Sequence, residues 1–164
     1  MNQNLELINQ KVFKTCDLKL SDIKIEPEGK EYDACNFKLN QSKVFSRSSK
    51  ITPKKVGQFV TFWRRNKEGI TEPHHEMNSF DFLIINAKTE NNFGQFVFPK
   101  SVLIKKGIIS TDKKEGKRGF RVYPNWDIPT SKQAISTQKW QTKYFYEINN
   151  EIDFEKVKEL YTNK

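Results

Sequence analysis

Cysteine is scarce in this chain: Cys16 and Cys35 are the only two among 164 residues. That excludes a disulfide framework or a cysteine-built metal cluster, and two reduced, buried thiols are expected. Histidine is as rare, confined to His74 and His75. Long apolar runs are lacking too. No stretch approaches the ~18 apolar residues a membrane span requires, and the polar start MNQNLELINQ leads into no apolar signal core. A cytoplasmic protein without a membrane partner is expected. No Walker A loop occurs, and no GxGxxG follows a strand-like run, so nucleotide-cradle chemistry has no foothold. Hydrophobic residues reach only 35%, yet 13 Phe, 5 Tyr and 3 Trp are present. A core of a few large rings follows, and the length 1–164 suits a single domain.

Acid is missing from one long window. Gln41 to Arg65 holds seven cations (Lys43, Arg47, Lys50, Lys54, Lys55, Arg64, Arg65) and no Asp or Glu. Val97 to Arg121 holds eight (Lys100, Lys105, Lys106, Lys113, Lys114, Lys117, Arg118, Arg121) against Asp112 and Glu115. The whole chain carries +9, so the charge is segregated rather than interspersed. Segregated positive charge suits a polyanion, nucleic acid first. The plain alternative is a lysine-rich composition that clusters without purpose.

The tetrapeptide GQFV occurs twice, at Gly57–Val60 and Gly94–Val97. In ITPKKVGQFVTFWRR, Thr52 reads as an N-cap and Pro53 as a first helical residue, with Val56, Phe59, Val60 and Trp63 at i, i+3, i+4 and i+7. A helix is expected there. The second copy follows the apolar run Phe80–Ala87 and the turn Glu90-Asn91-Asn92. It reads as a strand from Phe93 to Phe98, ended by Pro99 and followed by a short helix with Val102 and Leu103 inward and Gly107 at its close. Nothing else around the copies matches, so no repeat architecture is expected. Leu5, Ile8 and Val12 mark an amino-terminal helix. EYDACNFKLN and SKVFSRSS read as a hairpin turning at Asn40-Gln41, and Ile108-Ile109 as the start of a strand. The charged loop TDKKEGKRG leads into a strand from Gly119 to Tyr123, then the aromatic loop YPNWDIPTS. Helices are expected at about Lys132–Tyr146 and Asp153–Tyr161. The fold class is mixed α/β: a central mixed sheet of about five strands flanked by helices.

The strings YDACNF, ITPKKVGQFVTFWRR, FDFLIINA, FGQFVFPKSVLIKKGI, GKRGFRVYPNWD and TQKWQTKYFYEI, in that order, resemble the MepB-like family over about Glu31 to Ile148. The resemblance implies a restriction-endonuclease-like core whose members bind or act on nucleic acid. Such a core implies an Asp on one strand and an acid and a Lys two positions apart on the next, holding Mg or Mn against a phosphate. Asp81 takes the first place. The acidic position falls on Gln95, a poor substitute for carboxylate, and the Lys position on Val97, leaving Lys100 and Lys55 as the nearest cations and Glu31 as a second carboxylate. The implied site is eroded, with Asp81 its one metal ligand.

Other chemistry is weaker still. Glu72, His74, His75 and Glu76 in EPHHE are metal-ligand types, but adjacent histidines in a loop rarely converge on one ion. Neither cysteine has a fitting His partner, and Asp127 completes no triad. The functional expectation is binding of DNA or RNA through phosphates, without tight sequence specificity and with no cofactor required. Lys54, Lys55, Arg64, Arg65, Lys100, Lys113, Lys114, Lys117, Arg118 and Arg121 are the candidate contacts, and Tyr123, Trp126 and Trp140 the candidate stacking rings. The alternatives are a Mg- or Mn-dependent nuclease using Asp81, Gln95 and Lys100, and a module for an acidic protein partner.

Overall fold

A computed structural model describes residues 1–163. Its centre is a six-stranded sheet with the order β1 (Leu20–Ile25), β2 (Cys35–Leu39), β3 (Ser42–Ser48), β8 (Phe82–Lys88), β9 (Phe93–Pro99), β11 (Phe145–Glu147). All neighbours are antiparallel except β3 and β8, which run parallel. The sheet is therefore mixed. The β2–β3 hairpin obeys simple rules. Cys35, Phe37 and Leu39 alternate inward, Leu39 faces Ser42, and Asn40 in the two-residue turn takes φ +53°, a conformation Asn tolerates better than most side chains.

Both faces of this sheet are covered, which explains why β8 is buried along six of its seven residues. On one face Phe82, Ile84 and Val97 meet α1 (Gln3–Ile8), the π-helical turn that follows it, and α4 (Phe154–Thr162). On the other face Leu83, Ile85, Phe96 and Phe98 meet the small sheet β4 (Lys50–Ile51), β5 (Gln58–Thr61) and β10 (Gly119–Val122), together with α2 (Lys100–Lys105). The two-stranded ribbon β6 (Trp63–Arg65) and β7 (Thr71–Pro73) and the helix α3 (Lys132–Gln141) complete the structure.

Three expectations need correction. The stretch Thr52–Arg65 is no helix; it is a loop, then β5 and β6. Gly57 takes φ +86°, which ends any helical path, and Val56, the supposed start of the apolar stripe, is exposed. The same residues also carry a period of two, with Gln58, Val60 and Phe62 buried, and tertiary packing selects that one. Both GQFV copies are thus strands, in different sheets. The helix expected to reach Tyr146 stops at Gln141; Phe145 and Tyr146 turn inward as β11 instead. Ile108 and Ile109 are buried but form no strand, only Ser110 beside them bridging to His75. The expected mixed sheet of about five strands is present with six, β1 being a mostly exposed edge strand. Cys16 and Cys35 are free and buried, as expected.

Candidate functional site

The two basic windows scatter and then partly converge. From the first window, Arg47 turns into the interior, only 3% exposed. Its guanidinium takes Glu26 with both Nη atoms, at 3.2 and 2.9 Å. Lys50 pairs with Glu31 at 3.2 Å, Arg64 with Glu72 at 3.5 Å and Arg65 with Glu28 at 2.6 Å. Lys54 and Lys55 lie exposed in the loop before β5, and neither has an ion-pair partner within 4.0 Å among the described residues. From the second window, Lys100 opens α2, lies over the Phe80 ring at 5.2 Å and donates to the Asn78 carbonyl. Arg118 pairs with Glu115 at 3.4 Å, while Lys113, Lys114 and Lys117 sit on the polar loop before β10.

One cleft gathers four of the remaining cations. It encloses about 500 Å³ and is lined by Lys55, Lys106, Lys117 and Arg121, with Phe59, Phe120, Tyr123 and Trp140 as its rings and no Asp or Glu in its walls. Lys55 comes from the first window and the other three cations from the second. Arg121 organises the wall. Through Nε and Nη2 it donates to the carbonyls of Val56, Lys55 and Gly57 and, at 2.6 Å, to the Thr52 hydroxyl. It thereby fixes the loop that carries Lys54 and Lys55. Gly57 is required in that loop, since a Cβ there would lie 2.7 Å from the Tyr123 ring. Gln141 at the end of α3 ties the opposite wall down, donating to the Arg121 carbonyl at 3.0 Å and accepting from the Tyr123 N–H at 2.8 Å. Lys106 lies over the Trp140 ring at 5.3 Å. Burial raises the pKa of Asp127 above its ordinary range, and Arg121 offsets part of that rise.

Of the candidate stacking rings, Tyr123 and Trp140 line this cleft and Trp126 does not; Trp126 packs edge-on against Phe145. Arg64, Arg65 and Lys100 also lie outside it. Lys106 belonged to the basic window but was no candidate contact. Its place at the end of α2, facing α3, depends on a helix-to-helix contact that no local pattern announces.

Of the implied metal-site residues, Asp81 and Lys100 meet through their backbones, the Lys100 N–H donating to the Asp81 carbonyl at 3.0 Å, while Gln95 stands apart. Asp81 accepts the Lys43 N–H at 2.8 Å through Oδ2 and returns its own N–H to the Lys43 carbonyl, joining the starts of β3 and β8. Phe82 faces Pro99 while Asn86 faces Gln95, so Asp81 and Gln95 are five ladder positions apart, about 16 Å at the usual strand rise. Gln95 is wholly buried. Its amide donates to Asn86 Oδ1 at 2.8 Å and accepts from Tyr146 at 2.8 Å and from the Tyr161 hydroxyl. Burial pushes both of those tyrosines well above their ordinary range. A side chain spent in this way has no lone pair left for an ion. Glu31 is held at Lys50. Among the described residues no group of three or more His, Cys, Asp or Glu is placed to hold a metal, and no helix is long and apolar enough to cross a membrane.

A second cleft of about 500 Å³ lies beside the first along β5, lined by Glu26, Phe45, Arg47, Thr61, Trp63, Arg64 and His74 among others. His74 is stacked on Phe62 at 4.0 Å, and both its ring nitrogens are buried without a hydrogen-bond partner. Burial, reinforced by Arg47 and Arg64, lowers its pKa to about 4, while the nearby Asn78 side chain and Trp63 backbone pull the other way.

Comparison with known proteins gives a family and one close fold. A family model described as MepB-like matches residues 26–147. A crystal structure of MepB is similar at 34% identity, covering 92% of this chain and 100% of its own, with a TM-score of 0.79. A bacterial homing endonuclease, I-Ssp6803I, is far more distant, at 16% identity and a TM-score of 0.46 over 85% of this chain and 91% of its own. No curated protein matches.

Proposed function

This chain belongs to the MepB-like family, and within that frame we propose that it binds nucleic acid, DNA or RNA, through phosphates held in the cleft between β10, α2 and α3. One observation carries the reading: Lys55, Lys106, Lys117 and Arg121, drawn from both basic windows, line a single cleft whose walls contain no acid. Lys54, Lys113 and Lys114 stand on the same two loops and extend the attraction. Phosphate contacts of this kind neutralise charge and release counterions, so affinity follows salt more than sequence. Tyr123 and Trp140 offer ring faces to unpaired bases at the cleft edge.

Fluorescence anisotropy on labelled single-stranded RNA, single-stranded DNA and duplex DNA across a salt series tests this. Wild type is expected to bind with a steep negative salt slope. Lys106→Glu with Lys117→Glu is expected to weaken all sequences alike and flatten the slope by about 2, roughly one per lost phosphate contact. An unchanged slope would remove the cleft from the account. Capture of an acidic protein with no competition by short strands would favour the protein-partner reading. The nuclease alternative would rest on Asp81 and Lys100, which are backbone neighbours, because Gln95 lies in a buried network five ladder positions from Asp81.

A further inference from the structure

We propose that the second cleft, lined by Phe45, Thr61, Trp63 and His74, takes an uncharged planar base turned out of a strand whose phosphates lie in the cationic cleft. The proposal rests on the phosphate reading above and adds a separate site to it.

Charge comes first. The acids and arginines at this cleft are already matched to one another: Glu26 with Arg47, Glu28 with Arg65, Arg64 with Glu72. No net charge is left over to attract an ion, so the occupant is uncharged. The contrast with the neighbouring cleft, four cations and no acid, is sharp.

Shape and polarity come next. The walls are ring faces and edges, Phe45, Trp63 and His74, around a space within the range that small planar ligands fill. Among them sit two polar side chains more than nine-tenths buried, Arg47 and His74. Arg47 is satisfied by Glu26 and by the Ser46 carbonyl at 2.9 Å. His74 makes no hydrogen bond of ordinary geometry at either ring nitrogen, although the Asn78 side chain and the Trp63 backbone lie near the ring. A buried polar group without a partner is uncommon in a native structure and calls for a reason. A neutral imidazole has one donor and one acceptor. The Watson–Crick edge of a base presents donors and acceptors side by side, and unpaired bases are recognised by such edges together with ring stacking.

Position supplies the link. Phe59 and Thr61 alternate with the buried Gln58 and Val60, so they share the outward face of β5. Phe59 lines the cationic cleft and Thr61 lines this one. Two residues along a strand is about 7 Å, close to the spacing of adjacent phosphates on an extended strand. A strand lying in the first cleft can therefore present its next base to the second.

Free nucleosides separate this site from the phosphate site, because they carry a base and no phosphate. Backbone amide NMR spectra of the full chain would be recorded with adenosine, guanosine, cytidine and uridine in turn, and with a short single-stranded oligonucleotide. The expected result is saturable shifts for at least one nucleoside confined to Phe45, Thr61, Trp63 and His74, absent in Thr61→Trp, which fills the cleft. The wild-type map stands without the variant should the variant fold poorly. Shifts from no nucleoside, or shifts only around Lys106 and Trp140, would overturn the proposal. In that event an oligonucleotide that still perturbs Lys55, Lys106 and Trp140 leaves the phosphate reading standing, and one that perturbs nothing takes both readings down together.

Discussion

At the scale of single residues, two of the buried polar groups meet opposite fates. Gln95 is saturated by Asn86, Tyr146 and Tyr161. Gln95→Leu keeps much of the volume but strands three polar partners, so a loss of about 3 kcal/mol is expected, read as a lower urea midpoint with an unchanged slope. A variant as stable as wild type would show that the network is not formed. His74 is the opposite case, buried with no partner. Its pKa lies near 4 in the fold against 6.5 when unfolded, lowered chiefly by burial and then by Arg47 and Arg64. The sign follows directly. Above pH 6.5 both states are neutral and nothing is lost. Between 6.5 and 4 the unfolded chain binds a proton that the native one refuses, and stability falls by up to about 3 kcal/mol, then levels off. His74→Phe preserves the stack on Phe62, so stability measured as wild type minus variant should decline across that window and stay flat above it. A flat difference throughout would mean that His74 is protonated freely in the fold.

At the scale of elements, the loop before β5 is the part whose shape matters most. It has no core of its own: Pro53, Lys54, Lys55 and Val56 are exposed. Its conformation is held from outside, by the Arg121 fork on four of its oxygens and by Gly57 against Tyr123. Arg121→Lys keeps the charge and loses the fork. The expected result is a stability loss of about 1–2 kcal/mol, faster amide exchange at residues 52–57, and weaker nucleic-acid binding despite an unchanged net charge. Binding equal to wild type would reduce Arg121 to a point charge. The mistaken helix at this element is instructive for the same reason. Val56, Phe59, Val60 and Trp63 fit a helical stripe, and Gln58, Val60 and Phe62 fit a strand. Fourteen residues in isolation contain no means of choosing, because the choice is made by β10 pairing with Val60 and by the ring of Tyr123 over Gly57.

At the scale of the whole molecule, where a charge sits outweighs how many there are. Arg64 and Arg65 contribute as much to the +9 as any pair in the chain. Both are paired with glutamates away from the cationic cleft. Arg64→Gln with Arg65→Gln is therefore expected to leave the salt slope of binding nearly unchanged, whereas the same loss of charge at Lys106 and Lys117 flattens it. Equal effects from both pairs would mean that the chain attracts nucleic acid as a diffuse cation, with no defined groove. The two-sided burial of β8 belongs to this scale as well. One face is closed by helices from both ends of the chain, the other by the small sheet, and the cationic cleft lies between that small sheet and α3.

Local sequence determined the elements whose signals are short-range and unopposed: the β2–β3 hairpin with its Asn40 turn, the apolar run of β8, the β9–Pro99–α2 sequence, the amino- and carboxy-terminal helices, and the two basic windows. The string pattern from Glu31 to Ile148 likewise agrees with the matched residues 26–147. Only the tertiary structure decided the rest. It chose strand over helix at β5, ended α3 early so that Phe145 and Tyr146 could close the sheet edge, and turned Gln95 from a candidate ligand into a buried hub. It also buried Arg47, paired Lys50, Arg64, Arg65 and Arg118 with acids, and brought Lys55, Lys106, Lys117 and Arg121 to one cleft. Charge along a chain is additive and can be counted, but whether two charges meet one phosphate depends on contacts tens of residues apart, and these are fixed only when the core closes.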